Sequence, residues 1–300
     1  MAFSLLPSRW QETPWRWQMI AIPRDAVPHL LIWSAALTVC AAFIAVLYDV
    51  VREGLPLVSL DFVVDGTADL GRSGGIGPIL VSTGMILGVC LLAALPLGLG
   101  CAVWLSEFRE NRGLSGRIVR RSLDVLAGLP SIVFGLFGYA FFCQALGLGF
   151  SILSGGLTLA CMVLPVFIRA VEVALRAVPQ EMRAASAALG FSKTASIRRF
   201  ILPAAAPGVV VGVILGIGRA MAETAALLFT SGYVTRMPES FSDSGRALSV
   251  HVYDLAMNVP GGDAAAYASA LVLVALLIGI NALATALVQY WQRRKGWTTS

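Results

Sequence analysis

Residues 152–203 read ILSGGLTLACMVLPVFIRAVEVALR (152–176) and then AVPQEMRAASAALGFSKTASIRRFILP (177–203). The first piece carries no charge from Ile152 to Ile168, then Arg169, Glu172 and Arg176 in quick succession. About 20 apolar residues suffice to cross a bilayer as a helix, so this piece reads as a span with charges placed inside it. The second piece changes character. Pro179 suits the first turn of a helix, the alanine-rich run favours helix, and Gly190 suits the position just past its end. A short exposed helix between two spans, the second beginning near Pro203, is the pattern of a docking element.

The same alternation extends in both directions. Of 300 residues, 57% are hydrophobic and 13% charged, about half the charged fraction of an ordinary soluble domain. Six spans are expected, near Leu30–Val50, Pro78–Glu107, Leu123–Leu146, Ile152–Arg176, Pro203–Thr230 and Ala265–Tyr290. The fold class is therefore all-α and integral to the membrane. Residues 1–27, rich in Trp and Arg, read as a cytoplasmic lead-in, not a signal peptide. The domain organisation is this segment, a membrane domain over 28–292 with its cytoplasmic loop at 177–203, and a tail at 293–300.

Charge sets the orientation. Sixteen of the 22 Lys and Arg residues fall before span one, between spans two and three, around the loop after span four, and at the C-terminus. Four (Arg52, Arg72, Arg236 and Arg246) fall in the other loops. Basic loops stay inside, so both termini are expected in the cytoplasm. The loops Val51–Gly77 and Ser231–Asp263 are then expected outside, with His251 in the second.

Arg169 and Arg219 are the two remaining cations, and both fall within spans. A charge at mid-membrane costs at least a few kcal/mol. Glu172 follows Arg169 by three residues and Glu223 follows Arg219 by four, spacings that put each pair on one helix face. Counting rise from the outer ends puts Arg169 about 18 Å deep and Arg219 about 16 Å deep, so the two are expected to meet near the bilayer centre. Gly208, Gly212 and Gly216 form a row expected to pack closely against a neighbouring helix. Ion pairing that merely fixes helix register would explain the charges. An anion path would also do so, because the Arg fork matches tetrahedral oxyanions.

The five cysteines read as small core residues, and the two histidines as too far apart for a metal or Ser–His site. No Gly-x-x-x-x-Gly-Lys-[Ser/Thr] occurs, so this chain is not expected to hold ATP.

The run from Pro179 to Pro203 resembles the "EAA" loop of bacterial ABC-importer permeases, whose loop docks on the ATPase subunit. Pro179, Glu181, Ala185, Gly190, Leu202 and Pro203 carry the likeness. Ala184 stands where that family usually has Glu, and Phe200 where it usually has Ile. The stretches Gly74–Thr83, Gly128–Phe137, Ile168–Pro179 and Gly218–Thr230 are similar to those of phosphate permeases of the PstA type. The resemblance implies a six-helix type I importer bundle in the bacterial inner membrane. It implies a PstC-like second permease subunit as heterodimer partner, two ATPase copies carrying ATP and Mg, and a periplasmic phosphate-binding protein. It implies a substrate pathway through Arg169, Glu172, Arg219, Glu223 and Thr224. Sulfate, molybdate, tungstate and phosphonate are alternative cargoes. A standalone secondary anion carrier is a further alternative.

Overall fold

A computed structural model describes residues 26–108 and 113–294. The N-terminal lead-in through residue 25, Arg109 and Arg112 between the second and third expected spans, and the end of the tail lie outside the described residues. The chain divides into two units, residues 1–48 and 49–300. The described part of the first unit is one helix, α1 (Ala26–Gly54), whose last turns run into the second unit.

In the second unit the elements follow in order. A short helix α2 (Leu60–Val64) is capped by Ser59, whose hydroxyl accepts from the Phe62 amide at 3.0 Å. Two short antiparallel strands, β1 (Thr67–Ala68) and β2 (Ser73–Gly74), pair Thr67 with Gly74. The long helix α3 (Gly77–Val103) continues into a π-helical turn, Trp104–Phe108. Next come α4 (Leu114–Ala127) and α5 (Ser131–Gly138), the latter extended by a π-helical stretch, Tyr139–Ala145. Helix α6 (Ile152–Arg176) leads to α7 (Gln180–Ala188) and then α8 (Lys193–Ser196). Helix α8 passes through a π-helical turn, Ile197–Ile201, into α9 (Leu202–Met221). The remaining helices are α10 (Ala225–Leu228), α11 (Leu248–Met257) and α12 (Asp263–Arg294).

Among the described residues five helices are long and apolar enough to cross a membrane, and α4 with α5 makes a sixth if that bent pair is one span. The all-α membrane fold expected from composition is thus what forms. Helix α6 is its centre. Phe167, Val171 and Leu175 are buried between α3 on one side and α9 on the other. Small residues allow the approach: a Cβ on Gly156 of α6 would overlap Val89 of α3, and one on Gly98 of α3 would overlap the Phe167 ring. Large apolar side chains such as Leu92, Leu97, Val211 and Leu215 point out of the bundle, as a lipid solvent permits.

Two expected spans take a different form. The third does not run unbroken from Leu123 to Leu146. The chain stops at Gly128-Leu129-Pro130, and α4 and α5 meet at 102°. A residue before proline is pushed out of helical geometry, and Pro130 has an extended ψ of 142°. The fifth begins ten residues before Pro203, at Lys193, where the Ser192 hydroxyl accepts from the Ala195 amide. The π-helical turn at 197–201 lets the helix continue through Pro203, whose ring and missing N–H oppose regular α pairing there. The same helix ends at Met221 instead of reaching Thr230. The expected outer loop 231–263 also contains a helix, α11, buried along its first turn and at Leu255.

Candidate functional site

The charged residues of α6 gather around one carboxylate. Glu172 is 3% exposed. Its Oε1 accepts from Arg120 Nε of α4 at 2.8 Å and lies 2.8 Å from Arg176 Nη2, one turn along α6. Its Oε2 accepts from Arg169 Nη1 at 3.1 Å. Arg169 then reaches α4 with its other amino group, donating to Asp124 Oδ1 at 2.5 Å and to the Arg120 carbonyl at 3.2 Å. Three guanidinium groups thus converge on Glu172, with Asp124 as a second acid at the exposed edge. The expected Arg169–Glu172 pair is present, but as part of this larger cluster. Arg120, Asp124 and Arg176 were not singled out by sequence reasoning. The available signal was their spacing: Arg117, Arg120, Arg121 and Asp124 make α4 too polar on one face to be the start of a span.

Arg219 is arranged differently. It is exposed, and it makes no hydrogen bond or ion pair among the described residues. Glu223 does not share a helix face with it, because α9 ends at Met221. The Glu223 carboxylate instead accepts from the Ala226 amide at 3.2 Å and so caps α10, while its carbonyl accepts from the Ser249 hydroxyl of α11. Thr224 lies in the same break, at the N-terminus of α10.

The packing of α6 on α9 fixes the relative heights. A Cβ on Gly208 would meet Ala174, one on Gly212 would lie 3.2 Å from Ala170, and one on Gly216 would lie 2.9 Å from Val163. The helices are therefore antiparallel, with Arg169 beside residues 210–213 of α9. Arg219 stands at least six residues further toward the N-terminal end of α6, about 9 Å at 1.5 Å per residue. The expectation that both arginines share one depth is corrected by this register. They form two successive levels along the α6–α9 pair.

Below the Glu172 cluster lies the loop after α6. Helix α7 closes with a Schellman arrangement: the Phe191 amide donates to the Ser186 carbonyl, the Gly190 amide donates to Ala187, and Gly190 takes φ +78°. Glu181, Ala184, Ala185 and Leu189 are exposed along this helix. Its other side is held. Arg183 donates to both oxygens of Glu107, at 2.9 and 3.4 Å, and to the Leu175 carbonyl at 2.7 Å. The Ser186 and Ser196 hydroxyls form a buried hydrogen bond, which ties α7 to α8. Lys193 sits 4.8 Å over the Phe108 ring. Leu202 and Pro203 open α9 behind this loop.

At the opposite end of α6, the segments around α11 interlock. Arg246 Nη1 lies 2.9 Å from Asp254 Oδ2, and its Nε donates to the Tyr233 carbonyl at 3.0 Å. His251 is fully buried beside them, its Nδ1 3.4 Å from Arg246 and its Cε1 against Gly71. Burial, and then the Arg246 charge, push the imidazole down to about 4.

Known proteins place this arrangement. The family model for "binding-protein-dependent transport system inner membrane component" matches residues 94–296. The chain is 32% identical over 262 residues to the probable ABC transporter permease protein YqgI of Bacillus subtilis, covering 81% of this chain and 89% of that one. It is 36% identical over 225 residues to the phosphate transport system permease protein PstA 1 of Mycobacterium tuberculosis (74% and 73%). It is 31% identical over 290 residues to PstA 2 of Mycobacterium bovis (93% and 92%). Among solved structures, a chain of the inward-facing MetNI methionine ABC transporter superposes with TM-score 0.58 at 18% identity, covering 71% of this chain and 95% of that one. A chain of a bacterial ABC transporter importing alginate gives 0.56 at 14% identity, covering 87% and 96%. The last two matches concern the fold alone. The chain belongs to the binding-protein-dependent transport system inner membrane components, the multi-spanning permease subunits of ABC importers, and is a transporter subunit served by a separate ATPase and a substrate-binding protein.

Proposed function

We propose that this chain is the PstA-like half of an importer that carries inorganic phosphate across the bacterial inner membrane. One observation carries the reading: Arg219 stands exposed on a membrane-crossing helix and makes no ion pair among the described residues. An uncompensated guanidinium in a membrane is expensive unless an anion or a water-filled path meets it. Its planar fork suits phosphate oxygens in a bidentate mode. The relatives whose names specify phosphate transport support this cargo.

In this reading the anion passes Arg219 first and the Arg169–Glu172 level second, with Glu223 and Thr224 at the outer break. Glu172 and Asp124 moderate the inner cations, so phosphate is met without being trapped. A PstC-like subunit completes the pathway. A periplasmic phosphate-binding protein delivers cargo to the outer segments 55–76 and 229–262. Two ATPase subunits, which hold ATP and Mg, grip the exposed face of α7 within the 177–203 loop. Both termini lie in the cytoplasm.

The test is binding-protein-dependent phosphate uptake by Arg219→Ala and Arg219→Lys at matched membrane expression. Loss of about 10-fold or more in the alanine variant is expected, and a clear loss in the lysine variant, which keeps charge and loses the fork. Wild-type uptake by Arg219→Ala overturns the role. Stronger competition by sulfate or molybdate than by phosphate reassigns the cargo.

A further inference from the structure

A continuous polar chain joins the exposed loop helix to the arginine cluster in the span. Arg183 of α7 forks onto Glu107 at 2.9 and 3.4 Å. Glu107 belongs to the π-helical turn 104–108 that ends α3, and its side chain is 6% exposed. In the same turn Leu105 is fully buried, and its carbonyl accepts from Arg120 Nη2 at 3.0 Å. Arg120 passes to Glu172 at 2.8 Å, and Glu172 to Arg169 at 3.1 Å. A second branch is shorter. Arg183 also donates to the carbonyls of Leu175 and Val178, where α6 ends one turn below Glu172.

The links between side chains, and from side chain to backbone, are charge-assisted bonds, and Glu107 and Leu105 are joined through the backbone of one turn. The π-helical turn matters here. Its i→i+5 pairing departs from the regular ladder, and such turns are frequent at functional sites. A displacement of α7 must therefore move Glu107, and with it the carbonyl that orients Arg120, or else break a nearly buried ion pair.

We propose that Arg183, Glu107 and Arg120 are positioning residues that transmit movement of α7 to Arg169. They touch neither nucleotide nor phosphate. They set the geometry of the inner arginine level according to where the ATPases hold α7. The proposal rests on the pathway reading of Arg169 given above.

The experiment uses the complete transporter, with ATPases, partner permease and binding protein, in proteoliposomes. Phosphate imported per ATP hydrolysed is measured for Arg183→Gln, Glu107→Gln and the double variant. Each single change is expected to lower that ratio about five-fold or more while hydrolysis continues, and the double change to be no worse than the poorer single. A wild-type ratio in both single variants overturns the relay. So does a double variant whose loss is the product of the two single losses, because independent positions behave that way. Where a glutamine variant does not assemble, Arg183→Lys is used, and a wild-type ratio in it also overturns the relay. The two readings separate cleanly. Wild-type uptake in Arg219→Ala removes Arg219 from the pathway and leaves the Arg169 level and its relay standing, whereas an unchanged ratio in Arg183→Gln removes the relay and leaves the pathway standing.

Discussion

Glu172 shows what one buried carboxylate does among three guanidinium groups. Its removal leaves Arg120 and Arg176 without this acid and Arg169 with Asp124 alone. Breaking a buried pair from one side typically costs roughly 3–5 kcal/mol, so Glu172→Ala is expected to lower the thermal midpoint of the purified subunit clearly, and Glu172→Gln by less. Unfolding in detergent followed by intrinsic fluorescence checks this. His251 gives a second residue-level expectation. Its folded value is pushed down to about 4 from an ordinary 6.5. Below pH 6.5 the unfolded chain takes up a proton that the folded chain refuses. The contribution of the neutral imidazole is therefore full above about 6.5 and is lost as pH falls toward about 4, on the order of 3 kcal/mol over that window. His251→Gln is expected to show a smaller drop in thermal midpoint between pH 7 and 5 than the wild type. Of these residues, the Arg169–Glu172 pair was legible because it is local, three positions apart on one helix. Arg120 was not, because it lies 52 positions from Glu172 and only the turn at 128–130 brings α4 back against α6. His251 read as a loop residue for a similar reason: Arg246 is only five positions away, but Gly71, against which the ring packs, is far off in sequence.

At the scale of elements, punctuation was legible where one residue type solves a backbone problem. Gly190 at φ +78° is such a case. Gly190→Ala forces a side chain into left-handed geometry and is expected to cost about 1 kcal/mol of α7 stability. It should raise proteolysis of the 177–203 loop before it affects the bundle. The Gly-Leu-Pro break at 128–130 is equally local, yet the apolar run across it reads as one continuous span. Hydropathy measures what a segment can dissolve in, not whether it is straight. The glycine row of α9 is legible as a contact, while its register is not, because period alone does not say which residue of α6 each glycine meets. Gly212→Leu tests that contact. A Cβ there already lies 3.2 Å from Ala170 and 3.3 Å from Phe167, so the larger side chain must push α9 away. Overpacking of this kind costs typically 1–3 kcal/mol. The expected result is weaker thermal stability and slower uptake, with Gly218→Leu, whose Cβ site is open, as the control.

For the whole molecule, composition points to the solvent and charge sets the expected direction. Sixteen cationic residues on one set of loops against four on the other is an imbalance that membrane insertion reads as orientation. The structure adds a physical check that hydropathy lacks. Exposed α7 and the Arg183–Glu107 clamp occur at one end of α6, and the interlocked Arg246–Asp254–His251 segment at the other. These ends differ in form: one presents a short exposed helix, and the other an interlocked segment around a buried ion pair. The orientation is tested by single cysteines in a background without Cys40, Cys90, Cys101, Cys143 and Cys161. Arg236→Cys lies in the segment between α10 and α11, and Lys193→Cys opens α8. An impermeant maleimide added to intact cells is expected to label position 236 and spare position 193. Inside-out vesicles are expected to reverse the pattern. Labelling of position 193 from outside inverts the topology. It then places α7 beyond the reach of any cytoplasmic ATPase, so the direction of the charge imbalance and the importer mechanism stand or fall together on this one measurement.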